Sequence, residues 1–175
     1  KDINLKGKTA LVTGATKGLG RGAAIALAQT GANIIAIGRN QSELKSLEKI
    51  IKKLKVKYTF FNCDVNDYKT IKNNISRLKK LDILVNNAGT NIPEPFLKVK
   101  KSSMETLLNV NTKAVFNVAQ LCANQIIKLN KKGGSIINIS SIFGLVAGQD
   151  RSVYSMTKFG IEGLTKGMAL DLAKY

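Results

Sequence analysis

The chain has 175 residues, 44% of them hydrophobic, which is enough for one domain with its own core and too short for two. It carries a formal charge of +17 and contains no histidine, which excludes Ser-His-Asp and Cys-His catalysis and argues against a zinc site. No apolar run approaches the roughly 18 residues of a membrane span, and the first residues lack the apolar segment of a signal peptide. We therefore expect a single domain over residues 1–175, in the cytosol, without a membrane or metal partner.

The high positive charge raises the question of a nucleic-acid partner. Lysine pairs occur at 52–53, 79–80, 100–101 and 131–132, each at an expected helix end or loop. They have no interleaved aromatic residues and form no single stripe, which is typical of a solvated surface rather than a nucleic-acid face. The charge remains compatible with an anionic small ligand or an acidic protein partner.

The two cysteines, Cys63 and Cys122, lie far apart and have neither a second cysteine nor a histidine nearby. They are expected to be buried apolar residues without a redox role. A catalytic acid or base in this chain must then be a carboxylate, Lys, Tyr or Cys. The first residue is not methionine and residues 170–175 end inside a helical pattern, so we expect a piece of a longer chain.

Short apolar runs alternate with helical patterns along the chain. Strands are predicted at 8–13, 33–38, 58–62, 82–86 and 135–140. Helices are predicted at about 21–30 with Gly31 at its end, from a cap at Ser42 to about 53, at 68–78, at 103–130 with a break near Asn111, and in a last segment that carries Tyr154. Continuous apolar strands separated by helices predict a doubly wound α/β fold, in which helices cover both faces of a parallel sheet.

Each predicted strand is followed by a cluster of polar residues and glycines. These clusters lie at 13–14, 38–39, 64–65, 86–89 and 140–141. Parallel sheets bind ligands outside the carboxyl ends of their strands, near the point where the strand order reverses. The clusters are therefore expected to form one site, although turn chemistry alone also places such residues at strand ends.

A glycine-rich turn, Gly14-Ala15-Thr16-Lys17-Gly18-Leu19-Gly20, joins the first strand to the first helix. Gly14 permits a sharp exit from the strand, Gly18 lets the backbone approach a pyrophosphate, and Gly20 permits close packing of helix on strand. The turn predicts a dinucleotide site. A glycine-rich turn without a ligand is the alternative.

The end of the second strand bears on the choice of dinucleotide. Sites that prefer NAD usually carry an acidic side chain there for the ribose 2′-hydroxyl, but this chain has Gly38. Arg39 follows and Lys17 lies in the glycine turn, so two cations are available for a 2′-phosphate. NADP(H) is favoured and NAD(H) remains possible. The alternative is that both cations are ordinary surface residues.

A tyrosine and a lysine, Tyr154 and Lys158, lie four residues apart in the last helical segment. One helical turn places the two side chains on one face, where an ammonium favours the phenolate over the phenol. A tyrosine of ordinary pKa, about 10, then exchanges a proton nearer neutrality. Taken alone the pair is a weak signal, because this spacing is common in helices.

The glycine turn, Asn86-Asn87-Ala88-Gly89, Asn111, Ser141 and the pair Tyr154 and Lys158 occur in this order. With these jointly specific motifs the chain resembles the short-chain dehydrogenase/reductase family and its Rossmann-type dinucleotide-binding topology. The resemblance implies that Tyr154 exchanges a proton with the reacting oxygen and that Ser141 polarises that oxygen. It also implies that Lys158 binds the nicotinamide ribose and lowers the pKa of Tyr154, and that Asn111 holds a water in a proton relay.

The same resemblance implies a set of cofactor-binding residues. Asp64 and Val65 are assigned to the adenine, and 87–89 to the adenosine side. The full set is Gly14, Thr16, Lys17, Gly18, Leu19, Gly20, Arg39, Asp64, Val65, Asn87, Ala88, Gly89, Tyr154 and Lys158. Purely structural roles stay open as alternatives for three of the predicted site residues: Asn111 as a helix cap, Ser141 as a turn residue and Asp64 as a residue at a helix start. Hydride transfer belongs to the nicotinamide, so the protein must supply orientation and one proton.

The expected activity is an NADP(H)-dependent interconversion of a carbonyl and a secondary alcohol on a small-molecule substrate. Segments 91–96 and 148–153 resemble those of sugar-acid and polyol members such as gluconate 5-dehydrogenases. The overall pattern equally resembles 3-oxoacyl-acyl-carrier-protein reductases, and a basic surface suits an acidic carrier protein. The remaining alternative is a non-catalytic cofactor sensor or a nucleic-acid binder, against which the intact Ser141, Tyr154 and Lys158 argue.

Family members usually continue beyond the equivalent of Tyr175, so the C-terminal part of the usual fold is expected to be absent and the substrate pocket incomplete. The resemblance also implies a homotetramer or homodimer that pairs two long helices. These helices carry apolar residues on more than one side, at Val115, Val118, Ala119, Cys122, Ile126, Ile161, Leu164, Met168 and Leu172. The alternative is that these residues cover the missing C-terminal segment.

Overall fold

The computed structural model describes residues 3–130 and 133–175, so the lysine pair at 131–132 lies outside the described residues. The strands are β1 (Thr9–Thr13), β2 (Asn33–Gly38), β3 (Tyr58–Asn62), β4 (Ile83–Asn86) and β5 (Ser135–Asn138). The helices are α1 (Gly18–Gln29), α2 (Gln41–Lys53), α3 (Tyr68–Ser76), α4 (Lys101–Leu108), α5 (Ala114–Leu129) and α6 (Ser152–Asp171). Short 3-10 turns lie at Phe96–Lys98 and Ile142–Gly144.

The five strands form one parallel sheet in the order β3-β2-β1-β4-β5. The chain moves outward from β1 to β3 and then crosses back to β4 on the other side of β1, so the order reverses between β1 and β4. Thr13 pairs with Ile37, and Asn86 pairs with Asn138, which places the carboxyl ends at one edge. The predicted doubly wound α/β fold is confirmed.

Helices cover both faces of the sheet, and each face has its own apolar core. On one face, Ala10, Val12, Ile34 and Ala36 pack with Ala24 and Ala28 of α1 and with Leu44, Leu47 and Ile51 of α2. On the other face, Leu11, Ile35, Ile37 and Leu84 pack with Ile71 and Ile75 of α3 and with Val118, Cys122 and Ile126 of α5. Successive strand residues point to opposite faces, so burial of both faces explains the continuous apolar runs.

The N-terminus of α2 differs from the prediction. Asn40, not Ser42, caps this helix, because its side-chain oxygen accepts a hydrogen bond from the N–H of Glu43 at 3.1 Å. Ser42 already lies in the first turn, and its hydroxyl donates to the Asn40 side chain at 2.7 Å. The other predicted bounds agree with the structure to within three residues: β2 and β3 match residue for residue, whereas α1 begins three residues earlier, at Gly18, and β5 ends two residues earlier, at Asn138.

The long helix predicted over 103–130 is interrupted at the expected place. A π-helical turn, Asn109–Lys113, separates α4 from α5, and the N–H of Ala114 bonds to the carbonyl of Asn109. Asn111 lies inside this turn and is fully buried. Such turns inside α-helices occur frequently at functional sites.

The apolar residues of α5 that suggested a partner are core residues instead. Val115, Val118, Ala119, Cys122 and Ile126 are all buried within this chain, as is Ile161 of α6. The exposed apolar side chains on these two helices include Phe116, Met156 and Phe159, at 47%, 51% and 47% of their surface. To predict which apolar side chains are exposed, one must know how each helix is rotated against the sheet. The many apolar positions of these helices leave that rotation ambiguous in the sequence.

The two cysteines have different environments and are both free. Cys122 is buried, and burial raises the pKa of its thiol to about 12. Cys63 is only half-buried, so the expected burial is incomplete there; burial and then the carboxylates of Asp67 and Asp64 raise its pKa. Within the described residues, no helix is long and apolar enough to cross a membrane, and no cluster of potential ligands could hold a metal ion.

Candidate active site

The glycine-rich turn is shaped by its contact with the segment after β4. Gly14 has a positive φ of 64°, and a Cβ added there would lie 2.9 Å from Nδ2 of Asn87. A Cβ on Gly20 would collide with the carbonyl of Gly14 and with the same amide of Asn87. Gly18, with φ of 55°, faces open space. Gly14 and Gly20 are therefore required by close packing, and Gly18 by its backbone conformation.

Helix α1 begins at this turn with an open N-terminus. Its N-cap residue, Lys17, is extended, and no described side chain caps the helix there. The first N–H groups of a helix lack partners within the helix and carry partial positive charge. This arrangement fits the pyrophosphate of a dinucleotide.

A groove of about 1160 Å³ runs along the carboxyl edge of the sheet beside this helix. It contains most of the predicted cofactor residues: Gly14, Thr16, Lys17, Gly18, Leu19, Arg39, Asp64, Val65, Asn87, Ala88 and Gly89. Gly20 is buried at the base of the turn rather than in the groove wall. The structure therefore brings together residues from four strand ends, as a site for an extended ligand requires.

The end of the groove next to β2 carries the predicted cationic residues. A Cβ on Gly38 would lie 2.5 Å from Cγ2 of Thr16, so a side chain at this position would require the Thr16 side chain to move. Arg39 is 80% exposed, and its Nη1 lies 3.5 Å from a carboxylate oxygen of Asp64. Asp64 also accepts the N–H of Asn66 at 2.9 Å, so it has a structural role in its loop.

Thr13 and Asn86 join the strand ends beneath the groove; both belong to the predicted strand-end clusters but not to the predicted catalytic or cofactor-binding residues. The Thr13 hydroxyl oxygen accepts the N–H groups of Asn87 and Ala88, both at 3.0 Å. Asn86 donates to the carbonyl of Val115 in α5 at 2.8 Å. The signal in the sequence that could have identified them as site residues is their position as the last residues of β1 and β4.

Lys158 is almost fully buried, with 5% of its surface exposed. Its ammonium donates to the carbonyl of Ile139 at 2.8 Å and lies 5.8 Å from the ring centroid of Tyr154. Burial lowers the pKa of Lys158. The half-buried Tyr154 ring packs edge-on against Phe143, at 6.3 Å between centroids. The predicted pair is thus held on one face of α6.

Asn111 is fixed by three hydrogen bonds. Its oxygen accepts the N–H of Thr90 at 2.8 Å, and its amide donates to the carbonyl of Thr90 at 2.8 Å and to the hydroxyl of Thr157 at 3.2 Å. The Thr157 hydroxyl in turn donates to the carbonyl of Tyr154 at 2.7 Å. Thr90 and Thr157 were not predicted as site residues. Both amide protons of Asn111 are used, and its role in holding a water stays a prediction.

Ser141 caps the 3-10 turn after β5. Its hydroxyl oxygen accepts the N–H of Phe143 at 3.2 Å, which leaves its own proton available to donate. A Cβ on Gly144, in the same turn, would lie 3.0 Å from the carbonyl of Lys158. The turn that carries Ser141 therefore packs directly on α6 beside Lys158.

Gly89 is the point at which the groove meets these polar residues. A Cβ added at Gly89 would lie 3.4 Å from Oδ1 of Asn111 and 3.8 Å from Nζ of Lys158. Since Gly89 also lines the groove, a ligand lying along it ends next to the lysine. The arrangement can hold a dinucleotide and place its far end beside a tyrosine, a lysine and a serine.

Comparisons with known proteins agree with this arrangement. A short chain dehydrogenase family model matches residues 8–175. L-xylulose reductase of Mesocricetus auratus is 37% identical, over 99% of this chain and 69% of that protein. The 3-oxoacyl-acyl-carrier-protein reductase of Thermotoga maritima is 34% identical, over 98% and 70%. Carveol dehydrogenase of Mycobacterium avium, solved in complex with NAD, superposes with a TM-score of 0.94 at 27% identity, over 99% and 68%.

The protein is thus an oxidoreductase that acts on alcohol and carbonyl groups, as its relatives are. With a family match over residues 8–175, the chain belongs to the short-chain dehydrogenase/reductase family. Enzymes of this family bind NAD(P)(H), which the groove and the open N-terminus of α1 fit.

Proposed function

We propose that the protein is an NADP(H)-dependent enzyme that interconverts a carbonyl and a secondary alcohol on a sugar-like or polyol substrate. The observation that carries the proposal is the junction at Gly89, where the dinucleotide groove reaches Asn111 and Lys158. A cofactor-binding protein without catalysis has no need for a buried lysine beside a tyrosine at this point.

In this proposal the nicotinamide supplies the hydride, and the residues of the chain supply orientation and a proton. Ser141 donates a hydrogen bond to the carbonyl oxygen, and the Tyr154 hydroxyl donates the proton that makes this oxygen an alcohol. Lys158, held by the carbonyl of Ile139, binds the ribose next to the nicotinamide and keeps a positive charge near the phenol. In the oxidative direction Tyr154 accepts the proton instead.

Preference for NADP(H) is supported by the β2 end of the groove. Gly38 provides no carboxylate to bind a 2′-hydroxyl, and the methyl group of Thr16 fills the space beside it. Arg39 and Lys17 both line the groove there and bring positive charge. A 2′-phosphate would pair with these cations, whereas a 2′-hydroxyl would use neither charge.

The sugar or polyol substrate is supported by the similarity to L-xylulose reductase over 99% of this chain. A second candidate is the reduction of 3-oxoacyl groups on an acidic carrier protein. It is supported by the similarity to the Thermotoga enzyme and by the net charge of +17, which suits an acidic partner. A location in the cytosol and assembly into a homotetramer or homodimer stay predictions.

A screen of the complete protein tests the function. NADPH or NADH oxidation is followed at substrate concentrations from micromolar to millimolar with L-xylulose, 5-ketogluconate, diacetyl and acetoacetyl thioesters. We expect turnover of L-xylulose or 5-ketogluconate with NADPH. Turnover of the thioesters alone would favour the second candidate, and no turnover of any of these carbonyl compounds would contradict the proposal.

A further inference from the structure

Glu94 joins two segments, 91–96 and 148–153, whose sequences resemble those of sugar-acid and polyol enzymes. Its N–H donates to the carbonyl of Asp150 at 3.1 Å. Its carboxylate accepts the N–H of Lys100 through one oxygen and the hydroxyl of Ser103 through the other, both at 3.1 Å. Ser103 is buried. We call this arrangement of Glu94, Lys100, Ser103 and Asp150 the Glu94 clasp.

The Glu94 clasp lies between the residue that holds Asn111 and the start of the helix that carries Tyr154. Thr90, four residues before Glu94, is bonded in both directions to the side chain of Asn111. Asp150, four residues before Tyr154, directly precedes Arg151, the N-cap residue of α6. The four-residue step from Thr90 to Glu94 spans at most about 14 Å. This short stretch therefore ties the π-helical turn to the start of the helix that carries Tyr154.

The carboxylate is well suited to this position. Lys100 is the N-cap of α4 and has no side-chain cap of its own, so the negative charge of Glu94 lies at a helix N-terminus, where it is favoured. Asp150 adopts a left-handed backbone with φ of 57°, which costs energy for a residue other than glycine. Its carbonyl accepts both the N–H of Glu94 and a guanidinium N–H of Arg151 at 3.2 Å, and these bonds hold the loop in that conformation.

We propose that Glu94 is a positioning residue: the Glu94 clasp preforms the loop of residues 90–100 against the start of α6, on the substrate side of the site. The inference rests on the proposed function. Loss of the carboxylate releases the loop, so substrate binding must order it again. Tyr154 and Lys158 stay in place, because α6 and the bond from Lys158 to Ile139 hold them.

Steady-state kinetics of the complete protein test the clasp, with NADPH and the best substrate of the screen. Glu94→Ala should raise KM for the carbonyl substrate by about tenfold, with kcat within threefold and the Kd for NADPH within twofold of wild type. Glu94→Gln, which keeps one acceptor oxygen, should be intermediate. Glu105→Ala removes an exposed glutamate of α4 outside the clasp and should change nothing. An unchanged KM, or an equal loss in KM, kcat and cofactor affinity, would overturn the proposal.

Hydrogen exchange gives a readout that does not depend on turnover. In the wild-type protein, the amides of residues 94 and 100 should exchange slowly, and Glu94→Ala should speed both, together with the segment 148–151. Unchanged exchange in these segments would overturn the clasp. If the wild-type protein turns over no substrate, the proposed function fails, while the exchange result still decides whether the clasp holds the two loops together.

Discussion

Arg39→Ala separates an NADP(H) site from an NAD(H) site. A charged hydrogen bond to a phosphate contributes about 1.5–3 kcal/mol. Because the Arg39 side chain is 80% exposed and already lies 3.5 Å from Asp64, solvent screening and this competing partner reduce the contribution to about 1–1.5 kcal/mol. We therefore expect the Kd for NADPH to rise by roughly five- to twelvefold, and the Kd for NADH to change by less than twofold.

Titrations followed by fluorescence quenching or by energy transfer to the bound cofactor measure the Kd for NADPH and the Kd for NADH, at low and at high salt. The loss for NADPH should shrink as salt rises, because salt screens exposed charges. Arg77→Ala, which removes an exposed arginine after α3 and away from the groove, is the matched control. An equal loss for both cofactors would refute the assignment of Arg39 to the 2′-phosphate.

Two further predictions concern stability and assembly. Burial opposes ionisation of Asp82, but hydrogen bonds from Asn130, Thr9 and Lys8 outweigh it and lower its pKa. The contribution of ionised Asp82 to stability is therefore present above the unfolded-state pKa of about 4 and is lost as pH falls through the lower folded-state value. In urea unfolding, the free energy of unfolding of Asp82→Asn should depend less on acid pH than that of wild type. An equal dependence in the two proteins would contradict this prediction. Sedimentation of the complete protein should show a dimer or tetramer that Phe116→Glu weakens, since Phe116 is exposed on α5; an active wild-type monomer would exclude the interface.

Much of the fold could be predicted from the sequence, because burial on both faces makes each strand a continuous apolar run. The break near Asn111 was also predictable as an interruption, although not as a π-helical turn. The cap of α2 could not be predicted, since Asn and Ser are both good cap residues and the sequence alone does not show that the extended residue before the helix is Asn40. The burial of α5 depends on how the helix is rotated against the sheet, which its many apolar positions leave ambiguous.

The candidate site was predictable where side chains follow strand ends, and less so where contacts join distant segments. Gly14, Gly18 and Gly20 are close in sequence, so their pattern alone predicts the turn. The bonds from Asn111 to Thr157 and from Ser103 to Glu94 join separate elements, and no local pattern indicates them. The pairing of Arg39 with Asp64 likewise depends on the neighbouring positions of β2 and β3.

Proton donation by Tyr154 is the central claim, and Tyr154→Phe tests it most directly. The variant removes only the hydroxyl and keeps the ring that packs against Phe143. In the complete protein we expect kcat for carbonyl reduction to fall by about 100-fold or more, with the Kd for NADPH within twofold of wild type. Tyr68→Phe, on the exposed side of α3, should retain full activity. A Tyr154→Phe variant with kcat within a few-fold of wild type would contradict the account.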